Sequence, residues 1–385
     1  HDSPKSVSNG FPYIKGTQVK NGLIDFDNCE YLNKEDHLKV ISRSKPEKGD
    51  TLFANIGANI GECAYVNVDF EFSIKNVALF KPDSEYLNGK FLYYLLSSDL
   101  IQRDIKNRKS GSAQPFLSLK LLRSYKITYP PIQTQKRIAD ILSAYDELIE
   151  NNLKRIKLLE RVAQNIYKEW FVNMRFPGHE NTPINSETGL PEGWLNSSVN
   201  EYIEVASKGP SLDYNTDSGI PVLNQSCIRN GEIELDRVRY AKDLNENKEY
   251  CYLEINDILI NSMGQGTLGR VSKNNSINSK YIIHNCISFL RSKDLYSQAY
   301  LYYFIKSKEN YFISVSQGST GQTTLKLNLI TGLEINIPSF ELLKSFDDIV
   351  LPMWSQIGLL KNTSEQLKKA RDILLPRLMN QTIKV

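Results

Sequence analysis

The sequence predicts an α+β fold in which two similar α/β domains are separated by two long antiparallel helices that form a coiled coil, with a pseudo-two-fold internal repeat. Two observations predict it. Phrases of the first half return in the same order in the second half, at an offset that stays between 206 and 209 residues. Each half also ends in a long stretch whose apolar residues have heptad spacing.

The repeated phrases lie along most of both halves. "NGLIDF" at residues 21–26 returns as "NGEIEL" at 230–235, and "FLYYLL" at 91–96 returns as "YLYYFI" at 300–305. Four further pairs follow the same order, which indicates a duplication, whereas a single match could arise by chance. Two copies of this length differ from the short-period repeats that build solenoid proteins.

Each copy consists of a globular part with short alternating strands and turn dipeptides, followed by one long helix. The first copy has no counterpart of residues 190–209, so we expect that the chain as given lacks its true beginning. The predicted segments are a first domain with its start missing at 1–130, a first long helix at 131–172, a linker and second domain at 173–338, and a second long helix with a C-terminal tail at 339–385.

The two long helices have the clearest periodicity. From Ile138 to Trp170, ten positions in alternating steps of four and three residues carry nine apolar or aromatic side chains, and the equivalent positions from Phe346 to Leu378 carry eight. This spacing is typical of a coiled-coil seam. We expect the two stripes to pack on each other; the alternative is that each packs on its own globular part. Pro352 is predicted to break or kink the second helix near its start.

The polar positions within the seam predict its register. A chain that passes from one helix through a whole domain to the next favours an antiparallel pair. If the two seams run flush, Asn152 faces Ser364 and Ile156 faces Leu360. Two polar seam residues that meet near mid-helix would fix the register at some cost in stability. We therefore assign Asn152 and Ser364 to the register of the coiled coil.

Composition narrows the class of protein. No apolar run approaches the ~20 residues that span a bilayer. The five cysteines are scattered singly and the four histidines lack metal-ligand spacing, so we expect reduced thiols, no metal site and a cytoplasmic location. The net charge is only +3, and residues 173–338 carry 15 basic and 18 acidic side chains, a net charge of −3. A nucleic-acid-binding role would need basic groups concentrated on one face, or a partner that neutralises part of the phosphate charge.

The glycine-rich phrase "GQGTLG" at 264–269 fits the spacing of a dinucleotide-binding loop. Such a loop must open a helix, so that the helix dipole faces the pyrophosphate. The residues that follow are polar and lack helical periodicity, so a tight hairpin is the preferred interpretation. The sequence contains no P-loop, no G-x-S-x-G and no N-P-P-Y methyltransferase motif. We therefore predict no catalytic site.

Two loops at equivalent places, 106–120 and 314–328, combine glycines, small hydroxyl residues and a glutamine with flanking basic residues. These side chains suit base edges and phosphates. A second polar set lies in the strand-like runs before the two Asn-Gly phrases. For any single residue the alternative is an ordinary solvated loop position. The predicted DNA-binding residues are Lys15, Gln18, Lys20, Arg108, Lys109, Ser110, Ser112 and Gln114 in the first copy, and Asn224, Gln225, Arg229, Gln317, Ser319, Thr320, Gln322, Thr323 and Lys326 in the second.

Taken together, these features resemble the specificity (S) subunits of type I restriction-modification systems. The resemblance covers nearly the whole chain. It rests on the paired domains with their long helices, and on the phrases "PPIQTQKRIADILSAYDELIENN", "YKEWFVNMRFPG", "LPEGW" and "LKKARDILLPRLMNQTI". Each phrase is weakly specific alone, but the ordered set is specific.

The resemblance implies a non-catalytic chain whose two target-recognition domains each read one half of a bipartite double-stranded DNA target. The helices would set the spacing and dock two methyltransferase (M) subunits that carry S-adenosylmethionine. Restriction (R) subunits would add ATP- and Mg²⁺-dependent cleavage, and no cofactor is expected in this chain. The alternatives are an enzyme in its own right, as a fused or stand-alone DNA methyltransferase or nuclease, and a scaffold that does not bind DNA.

Overall fold

The computed structural model describes residues 4–57, 59–107, 116–212, 214–215, 219–229, 231–241, 252–264, 266–275, 281–293, 296–316 and 324–385. The chain folds into two compact units. Unit 1 comprises His1–Asn152 and Thr363–Val385, and unit 2 comprises Leu153–Asn362. Each long helix therefore contributes residues to both units.

Unit 1 contains eight short strands and four short helices among its described residues, together with one part of each long helix. The strands are β1 (Phe11–Lys15), β2 (Val19–Lys20), β3 (Leu23–Ile24), β4 (Glu30–Leu32), β5 (Thr51–Phe53), β6 (Cys63–Tyr65), β7 (Ser73–Lys75) and β8 (Ala78–Phe80). The helices are α1 (Lys34–Ile41), α2 (Gly89–Ser97), α3 (Asp99–Asn107), α4 (Leu119–Arg123) and the first long helix, α5 (Ile132–Tyr167), which a π-turn at Lys168–Val172 follows.

Unit 2 has a related order of elements, with additional strands, among its described residues. Its strands are β9 (Leu195–Ser198), β10 (Ile203–Lys208), β11 (Tyr214–Asn215), β12 (Ile220–Leu223), β13 (Ile228–Arg229), β14 (Glu232–Ile233), β15 (Arg239–Ala241), β16 (Ile258–Asn261), β17 (Val271–Lys273), β18 (Ile282–Ile283), β19 (Ile287–Ser292) and β20 (Glu334–Ile337). Its helices are α6 (Val199–Tyr202), α7 (Gln298–Ser307), α8 (Glu309–Ser314), α9 (Leu327–Thr331) and the second long helix, α10 (Phe340–Met379).

The two units have the same sheet arrangement. In unit 1, β1 pairs with β4 and β7, and β5 pairs with β6 and β8; in unit 2, β12 pairs with β15 and β18, and β16 pairs with β17 and β19. The β1–β7 and β12–β18 pairs are both parallel, and the other pairs just named are antiparallel. The predicted pair of similar α/β domains is therefore confirmed.

Helices α2 and α7 form the centre of each core, and both begin at an equivalent cap. Asn88 Oδ1 accepts a hydrogen bond from Phe91 N at 3.0 Å, and Ser297 Oγ accepts one from Tyr300 N at 2.9 Å. Such caps satisfy amide groups that lack a partner within the helix. The residues that follow are buried along the whole helix circumference. A helix that is apolar all round is one that is covered on every side.

The units differ at one edge of a sheet. In unit 2, β10 lies beside β19, β9 pairs with β20, and the intervening α6 buries Val199 and Tyr202 completely. In unit 1 the corresponding sheet has three strands among the described residues, and residues 125–130 form no strand. A largely apolar cavity of about 400 Å³ lies there, between Phe80 and Ile127. The difference agrees with the lack of a first-copy counterpart for residues 190–209.

Within each unit the long helices run antiparallel. In unit 1, Asn152 Nδ2 donates a hydrogen bond to Ser364 Oγ at 3.2 Å, and both side chains are buried. In unit 2, Ile156 packs in one apolar cluster with Ile357 and Leu360. These are the pairs that the flush register gives.

The outer parts of both stripes pack on the domain cores. Ile138 and Leu142 of α5 and Leu378 of α10 belong to the core of unit 1. Phe346 and Val350 of α10 belong to the core of unit 2. Both packing modes considered from the sequence therefore occur, the helix–helix seam near mid-helix and the helix–domain contact towards the ends.

Pro352 does not break the second helix, because α10 continues through this residue to Met379. The alternative, a kink at this residue, stays a prediction. Proline removes one amide donor, so the carbonyl group of Asp348 loses its helical partner. Both residues lie on the exposed side of the helix, where water can hydrogen-bond to that carbonyl group. The opposite side is held by Val350 and Trp354, which are buried in the core of unit 2. Packing of this side offsets the lost hydrogen bond.

No helix in the described ranges has the length and the apolar character required to cross a lipid bilayer.

Candidate nucleic-acid interface

Three segments of unit 1 meet at the turn of the hairpin formed by β5 and β6. Asn59, in this turn, donates from Nδ2 to the carbonyl oxygens of Gly16 and Val19 at 3.1 and 3.4 Å. Asn55, at the end of β5, donates from Nδ2 to Leu117 O at 3.0 Å and accepts from Leu117 N at 2.9 Å through its backbone carbonyl. The polar run around Gly16 and the end of the predicted loop 106–120 are thus fixed to one hairpin.

The same three segments meet in unit 2. Asn261, at the end of β16, donates from Nδ2 to Gln225 O at 3.0 Å. Ser262 O accepts from Leu325 N at 2.8 Å, and Met263 forms an antiparallel bridge with Thr324. The end of the predicted loop 314–328 and the run around Gln225 therefore lie beside the hairpin of β16 and β17. In each copy, the polar loop and the polar run before the Asn-Gly phrase were predicted separately from the sequence. The structure brings parts of both together beside one hairpin.

The hairpin interpretation of "GQGTLG" is confirmed, because β16 and β17 pair antiparallel on either side of it. Gly264, Gly266 and Gly269 all have positive φ angles, of 108°, 74° and 82°. Glycine adopts this backbone region without the penalty that a Cβ atom brings. The described part of the phrase closes a hairpin and does not open a helix.

Ten of the predicted DNA-binding residues lie outside the described residues. Their loops begin after α3 and α8 and end at Phe116 and Thr324, beside the hairpins. Their contacts with DNA stay a prediction. These residues are Arg108, Lys109, Ser110, Ser112, Gln114, Gln317, Ser319, Thr320, Gln322 and Thr323.

The first-copy residues Lys15, Gln18 and Lys20 surround one 3₁₀ turn. Lys15 Nζ lies 2.5 Å from a Glu30 carboxylate oxygen. Gln18 uses its amide within the protein, since Oε1 accepts from Lys15 N at 3.0 Å and Nε2 donates to Asn28 O at 3.2 Å. Lys20 is exposed. Lys20 is therefore best placed for a phosphate, whereas a base contact by Gln18 would break its present hydrogen bonds.

Asn224 caps the 3₁₀ turn that begins at Gln225, and only 6% of Asn224 is exposed. Its Oδ1 atom accepts from Ser226 N at 2.9 Å, and its Nδ2 atom donates to Arg237 O at 3.2 Å. A base contact by this amide has to compete with the cap. Gln225 is half-buried, and its Cγ atom lies against Gly264 of the hairpin turn.

Arg229 and Lys326 supply positive charge in unit 2. Arg229 lies on β13, its side chain is 41% exposed, and its Nε atom lies 3.7 Å from a Glu234 carboxylate oxygen. That Nε atom is buried and has no hydrogen-bond partner among the described residues. Lys326 is exposed at the start of α9, two residues after Thr324. Both side chains lie on segments that the hairpin of unit 2 brings together.

The residues that organise this edge are not among the predicted site residues. Asn55 lies two residues after β5 and Asn261 is the last residue of β16, and the phrases "FAN" and "LIN" at these places were a usable signal. Lys208 was also missed; its Nζ atom donates to Leu325 O at 3.3 Å, and burial lowers its pKa. Phe116 is 52% exposed at the end of the first loop, where an aromatic ring is available for stacking.

Within the described ranges, no group of three or more His, Cys, Asp or Glu side chains is arranged to hold a metal ion.

The family comparison covers both copies. The model of the type I restriction modification DNA specificity domain matches residues 2–161 and 191–369. The chain belongs to this family. Family membership makes it a type I specificity subunit, whose function is DNA sequence recognition. A specificity subunit of this kind is one part of a type I restriction-modification system.

Individual relatives agree with this assignment. The type I restriction enzyme MjaIX specificity subunit of Methanocaldococcus jannaschii is 27% identical over 302 residues, which cover 77% of this chain and 69% of the relative. The MjaVIII specificity subunit of the same organism is 22% identical over 398 residues, covering 100% of this chain and 92% of the relative. The crystal structure of a type I restriction-modification S subunit from M. genitalium has a TM-score of 0.60 at 16% identity, covering 97% and 90% of the two chains, and supports the fold.

Proposed function

We propose that this specificity subunit reads a bipartite double-stranded DNA target, with one half-site bound by each unit. The observation that carries this proposal is the repeated edge, in which a 3₁₀ turn, a hairpin and the end of a polar loop meet in both units. The side chains on these segments differ between the copies. Two equivalent surfaces with different side chains suit two different half-sites, because base identity is read through side-chain donors and acceptors.

The proposal assigns all catalysis to partner subunits. Two M subunits dock on the paired helices and bring S-adenosylmethionine, and R subunits bring ATP- and Mg²⁺-dependent cleavage. This chain holds no cofactor, has no turnover of its own and acts in the cytoplasm. The net charge of −3 on residues 173–338 supports dependence on partners, because that segment alone offers DNA little net attraction.

The test is to express the chain with its M subunits in a host without DNA methylation and to map the methylated adenines by sequencing the methylome. We expect one motif with two specified halves and an unread spacer. The chain purified alone serves as the second sample, and we expect no methylation, cleavage or ATP hydrolysis above a mock preparation. Turnover by the chain alone would support the enzyme alternative and contradict the proposal.

Loop variants test whether the half-sites are read separately. Arg108→Ala with Gln114→Ala should relax one half-site, and Gln322→Ala with Lys326→Ala should relax the other. Each lost base contact should reduce discrimination by about 1–3 kcal/mol. Lys34→Ala and Lys344→Ala, at exposed helical positions, serve as matched controls and should leave the motif unchanged. Equal relaxation of both half-sites by either pair would show that the units do not read separately.

A further inference from the structure

A group of charged side chains joins the hairpin of β13 and β14 to both long helices inside unit 2. The two carboxylate oxygens of Glu232 accept from Lys361 Nζ of α10 at 2.6 and 2.5 Å. A Glu160 carboxylate oxygen of α5 lies 3.9 Å from the same Nζ atom. These residues line a cavity of about 210 Å³. The side chain of Lys361 is only 28% exposed, so water screens this contact less than it screens a surface ion pair.

The neighbouring strand β17 is tied to the same helix. Lys273, at the end of β17, is 6% exposed, and its Nζ atom lies 4.0 Å from the ring centroid of Trp354 on α10. The Lys273 amine therefore packs on the face of this indole ring. Trp354 is itself fixed, because its Nε1 atom donates to the Tyr303 hydroxyl group at 3.2 Å. The contact therefore connects β17, α10 and α7.

The described part of the turn between β13 and β14 contacts β17 and α7. Gly231 has a φ angle of 77° and its carbonyl oxygen accepts from Ser272 Oγ at 2.9 Å. A Cβ atom at this position would lie 3.3 Å from Lys306 Nζ. Lys306 Nζ in turn donates to Val271 O at 3.1 Å and to Glu309 at 2.7 Å. The described part of the turn thus has little room to move relative to β17.

The hairpin carries Arg229, one of the predicted base-reading residues. Arg229 is the Cα partner of Glu232 across the two strands. Side chains directly opposite each other on an antiparallel pair have Cβ atoms about 4.5–5.5 Å apart. Displacement of Glu232 from Lys361 therefore displaces Arg229 as well.

We propose that Lys361 is a positioning residue for the second half-site, because it fixes the hairpin on α10 through Glu232 and so sets where Arg229 meets the DNA. This inference rests on the proposed function. A partly buried ion pair adds little net stability compared with apolar contacts, but it specifies one geometry, and loss of one partner leaves a charge uncompensated. That balance suits a positioning role.

The first copy has different chemistry at the equivalent places. Its sequence has Leu23 where the second copy has Glu232, Tyr65 for Lys273, Asp146 for Trp354 and Leu153 for Lys361. The ion cluster therefore belongs to the second copy, and its loss should affect only one half of the target. This asymmetry separates a positioning role from a general loss of structure.

The experiment compares Lys361→Met, Lys361→Arg and Glu232→Gln with the wild-type subunit in the complex with M subunits. Methylation is measured on duplexes that carry single base changes in one half-site or the other. We expect Lys361→Met and Glu232→Gln to reduce discrimination at the second half-site by about tenfold, within the range of one base contact, with the first half-site unchanged. Lys361→Arg keeps the positive charge and should retain the wild-type discrimination at the second half-site. Lys368→Met, on the same helix and paired with Glu365, is the matched control.

Hydrogen exchange of the Glu234 amide, which donates to Cys227 O at 2.7 Å across the hairpin, provides a readout that needs no DNA. In Lys361→Met and in Glu232→Gln this amide should exchange faster than in the wild type, while in Lys368→Met its exchange should be unchanged. Unchanged exchange, an unchanged second half-site, or equal relaxation of both half-sites would each overturn the proposal. If the wild-type complex methylates no bipartite target, the proposed function fails, and the exchange measurement still decides whether the cluster holds the hairpin.

Discussion

At the residue scale, equivalent positions join each long helix to its domain with different chemistry. In unit 1, Asp146 of α5 accepts hydrogen bonds from the Tyr94 hydroxyl group at 2.5 Å and from Arg371 Nη1 at 2.5 Å. In unit 2, Trp354 occupies the equivalent position of α10 and donates to the Tyr303 hydroxyl group. The duplication has kept the place of the contact, while an ionic network serves one copy and an aromatic one serves the other.

Lys273 predicts a measurable pH dependence in unit 2. Burial, followed by the charge of Lys361, lowers its pKa from 10.5 to about 7, although Glu232 and Glu160 act in the opposite direction. The folded state therefore releases this proton near pH 7, whereas the unfolded chain keeps it until about pH 10.5. Stability grows with pH wherever the unfolded state binds more protons. This residue should thus make unit 2 more stable as the pH rises from 7 towards 10.

The test is urea unfolding of the wild type and of Lys273→Met at about pH 6.5 and pH 9. Tryptophan fluorescence reports on unit 2, because all three tryptophans, at positions 170, 194 and 354, lie within it. The free energy of unfolding of the wild type minus that of the variant should increase between these pH values. A difference that stays constant would contradict the assigned titration. Lys344→Met, at an exposed position of α10, controls for the loss of one lysine charge.

At the element scale, the seam between the long helices combines apolar packing with one buried polar pair. Asn152 is 9% exposed and Ser364 is 3% exposed. On either side of them lie apolar seam residues such as Ile149 and Ile156. A helix pair held by apolar residues alone can slip by one heptad with a similar seam, whereas a displaced polar pair would lose its partner. That this pair fixes the register stays a prediction.

The replacement of Asn152→Leu together with Ser364→Ala tests the register. We expect the free energy of unfolding to rise by about 1 kcal/mol, because the buried polar groups are removed. We also expect register specificity to fall. Disulfide trapping measures it: Ile149→Cys with Leu367→Cys reports the flush register, and Ile149→Cys with Leu360→Cys reports a shift of one heptad, both in a background without the native cysteines. The polar pair does not set the register if only the flush cysteine pair is trapped, both with Asn152 and Ser364 in place and with Asn152→Leu and Ser364→Ala.

At the scale of the whole molecule, the lengths of α5 and α10 should determine the unread spacer of the target. The two helices contain 36 and 40 residues, so each is roughly 54–60 Å long at ~1.5 Å per residue. The Asn152–Ser364 pair lies in unit 1 and the Ile156–Leu360 contact lies in unit 2, so an insertion between these two pairs in both helices keeps the seam contacts of each unit. One heptad adds about 10 Å of helix.

We expect such a double insertion, between Asn152 and Leu153 and between Thr363 and Ser364, to lengthen the spacer by roughly 1–3 base pairs, since base pairs are stacked about 3.4 Å apart. Both half-site sequences should stay as they were, because the insertion leaves both hairpin edges intact. Methylome sequencing of the variant complex measures the result. A heptad inserted in α5 alone is the control and should abolish assembly by shifting the seam. An unchanged spacer in an active double variant would show that the lengths of the helices do not determine the spacer length.

The sequence by itself determined the duplication, the two helices and the facing seam residues. These features repeat with a fixed offset or a fixed heptad period, and such regularities can be recognised in a sequence without knowledge of distant contacts. It also identified the glycine-rich phrase as a hairpin, because the residues after it lack helical spacing. The break predicted at Pro352 failed for the opposite reason, since burial of Val350 and Trp354 by a distant domain outweighs a local preference.

Only the tertiary structure decided which polar residues organise the candidate interface. Asn224 and Gln18 have the side-chain amides of base-reading residues, yet these amides form hydrogen bonds within a helix cap and a turn. Asn55 and Asn261 look ordinary in sequence, yet they fasten the hairpins to segments tens of residues away. The cluster of Glu232 and Lys361 joins residues 129 positions apart. Such contacts depend on which groups folding brings together and shields from water, and no local pattern records that.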